Sequence, residues 1–461
     1  MLRECGFKIM NVKFVILFAV CIVPWISVSA QDELAVSPEQ QVARPNANKS
    51  WPGFLGPNRD GRSSETGILK DWSNGKLEVA WRRKLGTGYS LGSTYQGKYF
   101  QLDAIDNECR LSCLDERSGK EIWVFNYGFQ YKDMYGFDNG PRTTPLIDDG
   151  LVYIFGVAGM LHCLNVDNGK VVWKVDTKEK FGVVQNFFGV GSSPIVVGEK
   201  LVVMVGGSPA ADASKNLDDV GTNGTGIVIF DKKTGEVLNR VVDDLASYAS
   251  VNLYRDDGAT RAVAWMREKV VGIDLEKGEQ LWSFPYRARK YESVNASTPV
   301  VQGSQIFLSE SYGPGAILLN VAGNTPKVLW QDKNIRNRSL ATHWNTPVFH
   351  DGNIYACDGE RPANSDIRCV GYETGKVKWK KSGYGRASLT FVDDHLVVLD
   401  ETGSLLLIRA TAEKFDLVTE YSDSAGKKLS LKRPCWAAPV ISNGLLFVRG
   451  KDEMVCLKLK P

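Results

Sequence analysis

From Leu77 onward, apolar and polar positions alternate in short stretches rich in β-branched and aromatic residues, each closed by a turn. That period of two predicts half-buried β-strands. Five stretches share one unit: Asp115-Glu-Arg-Ser-Gly-Lys-Glu-Ile-Trp123, Asn165 to Trp173, Asp231 to Asn239, Asp274 to Trp282 and Gly371 to Trp379. A glycine stands four residues before the end of each, at Gly119, Gly169, Gly235, Gly278 and Gly375, where a hairpin turn needs positive φ. The closing Trp falls on an outer strand and suits packing against a neighbouring sheet. Trp330 ends a variant with a longer turn.

A second pattern precedes each unit: two small residues, a proline and an apolar residue. It occurs at Thr143-Thr-Pro-Leu146, Ser192-Ser-Pro-Ile195, Ser297-Thr-Pro-Val300, Asn345-Thr-Pro-Val348 and Ala437-Ala-Pro-Val440, with weaker copies near Ser90, Ser250 and Ser388. Proline cannot donate to a ladder, so these strands are edges. The Trp-to-Trp steps are 42, 50, 48 and 49 residues where one repeat separates them, a period of blades around a ring. Residues 208–226 lengthen one repeat and read as a surface loop. The last repeat offers three strands, and Leu77-Glu-Val-Ala-Trp81 is a strand without a sheet. The expectation is an all-β chain: an eight-bladed β-propeller of four-stranded antiparallel blades, closed by an N-terminal strand that completes the last blade.

Four segments follow: a signal peptide at 1–30, a flexible linker at 31–50, an N-terminal arm at 51–76 laid over the ring, and the propeller at 77–461. The first has a basic start at Arg3, Lys8 and Lys13, an apolar run from Val15 to Val23, and Val28-Ser-Ala30 before a cut at Gln31. Phe18-Ala-Val-Cys21 is a faint lipoprotein box, and Val20 fits it poorly, so lipid anchoring is the lesser alternative. After signal cleavage no segment approaches the apolar length of a membrane helix. The expected location is outside the cytoplasm, periplasmic or secreted, and the ring closure suits a monomer.

Composition changes this picture little. Net charge is +3, and no basic run exceeds a few residues, so nucleic acid is not an expected partner. Seven cysteines lie beyond the signal, an odd number that argues against a full disulfide framework. Cys113, Cys163, Cys369 and Cys456 recur at one repeat position and read as buried core residues. Cys357 and Cys369 are placed where a cross-hairpin bond is conceivable.

The repeated Gly-Lys-x-x-Trp units resemble those of the pyrroloquinoline-quinone (PQQ)-like propeller superfamily. That superfamily includes quinoprotein alcohol dehydrogenases and the non-catalytic propeller lipoprotein of the bacterial outer-membrane barrel-assembly machinery. The opening Trp51-Pro-Gly-Phe-Leu-Gly-Pro-Asn-Arg-Asp-Gly61 and the Cys435-Trp436 step resemble an exported bacterial group of PQQ-like repeat proteins. For a dehydrogenase, the resemblance implies PQQ, a Ca²⁺ held by carboxylate and amide oxygens, an acidic base and often a Cys-Cys pair. This chain has no Cys-Cys dipeptide. Glu310, Asp358 and Asp400 end second strands without forming a recognisable constellation.

Side chains just before the inner strands should line one mouth of the central channel. The candidates are Tyr89, Arg142, Asn295, His343, Trp344, Arg386 and Trp436, with Phe188 beside them. Guanidinium forks suit carboxylates and indoles supply stacking faces, so a planar anionic ligand fits this set. The plainer reading is a water-filled polar lining in which the arginines pair with backbone carbonyls. His162 falls in a core strand, while His350 and His395 fall by hairpin turns, where exposure is expected. No nucleophile is in register with His343. The favoured function is a binding or scaffold module for a protein or glycan partner, with no catalytic residues, metal ligands or assured cofactor. The alternative is a PQQ- and Ca²⁺-dependent oxidoreductase.

Overall fold

The computed structural model describes residues 50–461 apart from 183–186, 214, 291, 292 and 294. The signal peptide, the faint lipoprotein box and all but the last residue of the linker lie outside the described residues. Eight four-stranded antiparallel sheets span residues 93–128, 146–176, 195–241, 252–285, 300–331, 348–382, 387–420 and 440–458, here called blades 1 to 8 in that order. Blade 8 takes its outer strand from Val79–Lys84, which pairs antiparallel with Glu453–Lys458. The first strand therefore completes the last blade, as the unpaired Leu77–Trp81 run predicts. The described chain adds one short α-helix, Thr177–Phe181, capped by the Asp176 side chain. No helix among the described residues is long and apolar enough to cross a membrane.

Each blade buries both faces, so among the described residues eight apolar clusters fill the gaps between neighbours, one in each, beside a small ninth around Phe187 and Leu217. Cross-strand register explains the recurrent cysteines. Cys113, Cys163, Cys369 and Cys456 stand opposite Trp123, Trp173, Trp379 and Trp81. All seven described cysteines are buried and free. The conceivable Cys357–Cys369 bond does not form: Ile367 stands opposite Cys357, and Tyr355 opposite Cys369.

The Gly and Trp positions of the repeat meet between blades. The Trp81, Trp123 and Trp173 indoles donate to the carbonyls of Glu116, Val166 and Lys232 in the next blade's turn, at 3.1, 3.2 and 3.1 Å. A Cβ on Gly119, Gly169 or Gly235 would stand 2.6 Å from the same indole. These glycines also have φ of +68°, +68° and +74°, so backbone geometry and close approach both exclude a side chain. Trp282 lacks such a turn in blade 5 and bonds the Tyr254 hydroxyl within its own blade instead, at 2.8 Å.

The small residue at this repeat position has an inter-blade role too in blades 2 to 6, with Ser250 holding the place in blade 4 without a proline after it. The Thr144 N–H donates to Ser193 Oγ, Ser193 N–H to Ser250 Oγ, Ser250 N–H to Thr298 Oγ1 and Thr298 N–H to Thr346 Oγ1, at 2.9 to 3.2 Å. This girdle links blades 2 to 6 around the channel. Each hydroxyl satisfies an edge N–H that has no strand beside it.

Residues 51–63 lie across the inner strands, at the channel end away from the residues that precede those strands. Trp51 exchanges bonds with Thr94 of blade 1, Pro52 O accepts from Ile147 of blade 2, and Arg59 O accepts from Asn252 of blade 4. Arg62 forms a parallel bridge with Phe391 of blade 7, and its guanidinium sits 4.0 Å above that ring and bonds Phe349 O of blade 6. Farther along, Glu65 accepts the Gly444 N–H of blade 8, and fully buried Trp72 donates its indole N–H to Leu69 O at 2.9 Å. His395 is buried, with Lys70 at 3.2 Å, rather than exposed by its hairpin turn.

Candidate functional site

The segments leading into the inner strands carry Tyr89, Arg142, His343, Trp344, Arg386 and Trp436 to one mouth. Five rings there form an unbroken file: Tyr89 to Trp436 at 4.7 Å, Trp436 to Trp344 at 4.9 Å, Trp344 to His343 at 4.8 Å and His343 to Tyr312 at 5.3 Å. The Arg386 guanidinium lies over both indoles, 4.6 Å from Trp344 and 5.1 Å from Trp436. Arg142 extends the file, 6.0 Å from the Tyr89 ring and 5.6 Å from Phe188. Backbone contacts fix the file: Trp344 Nε1 donates to Trp436 O at 3.3 Å, and Ser388 Oγ donates to the same carbonyl at 3.1 Å. Behind Tyr89, buried Arg449 donates to Gly88 O and Ser90 O, at 2.7 and 3.1 Å.

Asn295 is not part of this file. It is fully buried, and its Nδ2 donates to Met266 O and Arg267 O while its backbone carbonyl accepts from the Tyr248 and Ala249 N–H groups. It joins two backbone segments of the mouth face instead of presenting an amide to the channel.

Each arginine of the mouth has an acidic partner. Glu401 Oε2 accepts from Arg386 Nη2 and Nε at 2.8 and 3.1 Å and from Trp436 Nε1 at 3.3 Å, and Oε1 accepts the Arg386 N–H at 3.0 Å. Arg142 donates to Asp133 at 2.9 Å and to Gly140 O and Asp138 O at 3.0 Å. Glu401 and Asp133 are the residues that sequence reasoning missed. Asp400, next to Glu401, is instead used inside its turn by Thr402 and Ser404. Glu310 accepts from Ser293 and Gly313, and Asp358 binds Arg368 and Ala341 N–H.

Burial sets the electrostatics. It pushes the Tyr89 hydroxyl up to about 12, with Asp138 adding to it and Arg142 opposing. It pushes His343 down to about 4, helped by Arg386 and opposed by Glu401. His343 Nε2 is 2.8 Å from the Tyr312 hydroxyl, and its buried Nδ1 has no hydrogen-bond partner. Burial would raise Glu401, but the Arg386 and Trp436 donors and the Arg386 charge outweigh it and hold the carboxyl below its ordinary range.

The residues present do not fit a Ca²⁺ ion. Glu401 has its oxygens taken by Arg386 and Trp436, and no cluster of three or more His, Cys, Asp or Glu among the described residues is placed to hold a metal. Nor is there room for a quinone between Trp344 and Trp436: two stacking partners need a slot of about 7 Å, whereas these two indoles stand 4.9 Å apart. The arrangement presents ring faces and arginine cations matched by carboxylates.

Known proteins set this geometry in context. A curated relative in Shewanella oneidensis, outer membrane protein assembly factor BamB, is 22% identical over 376 residues, covering 72% of this chain and 88% of its own. Among solved structures, quinohemoprotein alcohol dehydrogenase from Comamonas testosteroni superposes with a TM-score of 0.60 at 12% identity, over 90% of this chain and 81% of that one. BamB from Moraxella catarrhalis superposes with a TM-score of 0.55 at 12% identity, over 83% of this chain and 99% of that one. Both superpositions show the shared propeller fold. The family model described as outer membrane protein assembly factor BamB matches residues 107–381, more than half of the sequence, and the chain belongs to that PQQ-like propeller family.

Proposed function

We propose that this chain is an exported, non-catalytic propeller that holds a protein partner in an outer-membrane assembly process, using the mouth formed by Tyr89, Arg142, His343, Trp344, Arg386 and Trp436. The observation that carries this reading is the internal neutralisation of the mouth. Arg386 and Arg142 are matched by Glu401 and Asp133, and the rings touch one another. Such a surface offers aromatic and arginine contacts of the kind that dominate protein interfaces, with few unpaired charges to desolvate. The matched family adds that relatives bear the name of an assembly factor. The N-terminal pattern supports export, to a periplasmic or secreted location, with a lipid anchor less favoured.

Two measurements test this. Crosslinking from position Trp436 in cells should capture a defined partner, and Arg386→Ala should reduce that capture. The purified protein, titrated with PQQ and Ca²⁺ and supplied with alcohols and a redox dye, should show neither stoichiometric quinone uptake nor dye reduction. Uptake with turnover would establish the oxidoreductase reading in its place.

A further inference from the structure

Outside the ring of Tyr89 and Arg142, the mouth face opens a cleft of about 840 Å³ between the edges of blades 8, 1 and 2. Leu85, Ile105, Phe129 and Phe137 supply its apolar walls, and Lys132 and Lys451 stand at its rim. The loop over residues 130–139 holds out side chains that water ordinarily drives inward. Met134 is 59% and Phe137 56% exposed, with Tyr135 and Ile105 exposed nearby. This loop rests on an aromatic base: Tyr135 lies 5.9 Å from Phe187, and Phe137 lies 6.2 Å from Phe188. The tips are therefore presented on a packed support.

The charges around the tips favour an anionic surface. Among the described residues, Lys132 and Lys451 form no ion pair, and Lys432 pairs with Asp452 at 3.1 Å. Of the other two lining carboxylates, Asp138 is buried and only Asp106 faces outward. We infer that this patch docks on the surface of an anionic phospholipid bilayer. The apolar tips enter the boundary between headgroups and acyl chains, and the lysine ammoniums meet the phosphates while their stems lie along the apolar walls. Met134 and Tyr135 are exposed without lining the cleft, which suits a flat surface better than a peptide seated in a groove.

Co-sedimentation of the purified exported protein with vesicles tests the inference. Binding is expected to phosphatidylglycerol mixed with phosphatidylcholine, to weaken at high salt, and to be about tenfold lower on phosphatidylcholine alone. The pair Met134→Ser and Phe137→Ser, and separately the pair Lys132→Ser and Lys451→Ser, should each lower the bound fraction by about tenfold with an unchanged thermal midpoint. Equal binding to both vesicle types, or variants that bind like the parent, would place the attachment elsewhere in the chain and overturn the inference. Absence of binding would overturn it too, as expected if a protein covers the patch. None of these results bears on partner capture through Trp436, so the two readings fail separately.

Discussion

Arg386 holds its guanidinium among two indoles and a carboxylate that is itself largely buried. Removing the cation leaves Glu401 unpaired where water cannot fully replace it. Arg386→Ala should therefore cost about 3 kcal/mol in urea unfolding, and Arg386→Lys less, because the ammonium keeps the charge and loses the fork. His343 next to it carries a pH signature. Its folded pKa lies near 4 against 6.5 for the free side chain, so the unfolded state takes up the proton first as pH falls. Stability from the neutral imidazole is complete above pH 6.5 and is lost between there and pH 4, on the order of 3 kcal/mol over the window. His343→Gln should be less stable than the parent at pH 7.5, through the lost Tyr312 contact, and should close or reverse that gap at pH 4.5. A gap independent of pH would show that the imidazole is solvated.

Between elements, the repeated contacts are those a single blade cannot make alone. Gly169→Ala meets both a positive φ and the Trp123 indole, so a loss of about 2 kcal/mol or more is expected. Thr298→Val keeps shape and deletes the acceptor for the Ser250 N–H, and leaving that buried donor unpaired should cost about 1–3 kcal/mol. Chemical denaturation midpoints measure both. These contacts also show where the sequence could be read and where it could not. The Gly and Trp spacing lies within one strand pair, and the unpaired Leu77–Trp81 run announces a partner, so blade number and closure were both legible. The girdle was half legible: a small residue before each proline is visible, but the N–H it serves belongs to another blade. The mouth divided likewise. Position before an inner strand identified Trp344, Arg386 and Trp436, whereas Glu401 resembles any hairpin-turn acid and Asp133 any loop acid until the ring brings their arginines to them. Asn295 shares the same position in its repeat, yet buries its amide against backbone carbonyls, a choice the position alone does not distinguish.

For the molecule as a whole, the seam between blades 8 and 1 carries the burden of closure. Trp81, Tyr99, Phe447, Met454 and Cys456 fill it, and Lys84 lies opposite Glu453. Ending the chain after Gly450 removes Glu453–Lys458 and exposes both the Val79–Lys84 strand and the strand over Leu445–Arg449. Two bare edges should drive self-association, seen as oligomers or loss of the monomer peak in size-exclusion chromatography.

That seam also sets a timetable. The strand over Val79–Lys84 is among the first parts of the ring to be made, and its partner is among the last. Through nearly the whole of synthesis it has nothing to pair with, while blades 1 to 7 can each form from neighbouring chain as they emerge. The growing protein is thus an open spiral with a waiting end, and it becomes a ring in one late step. An assistant that shields Val79–Lys84 in that interval would act on the chain before any ligand or partner could find a finished mouth.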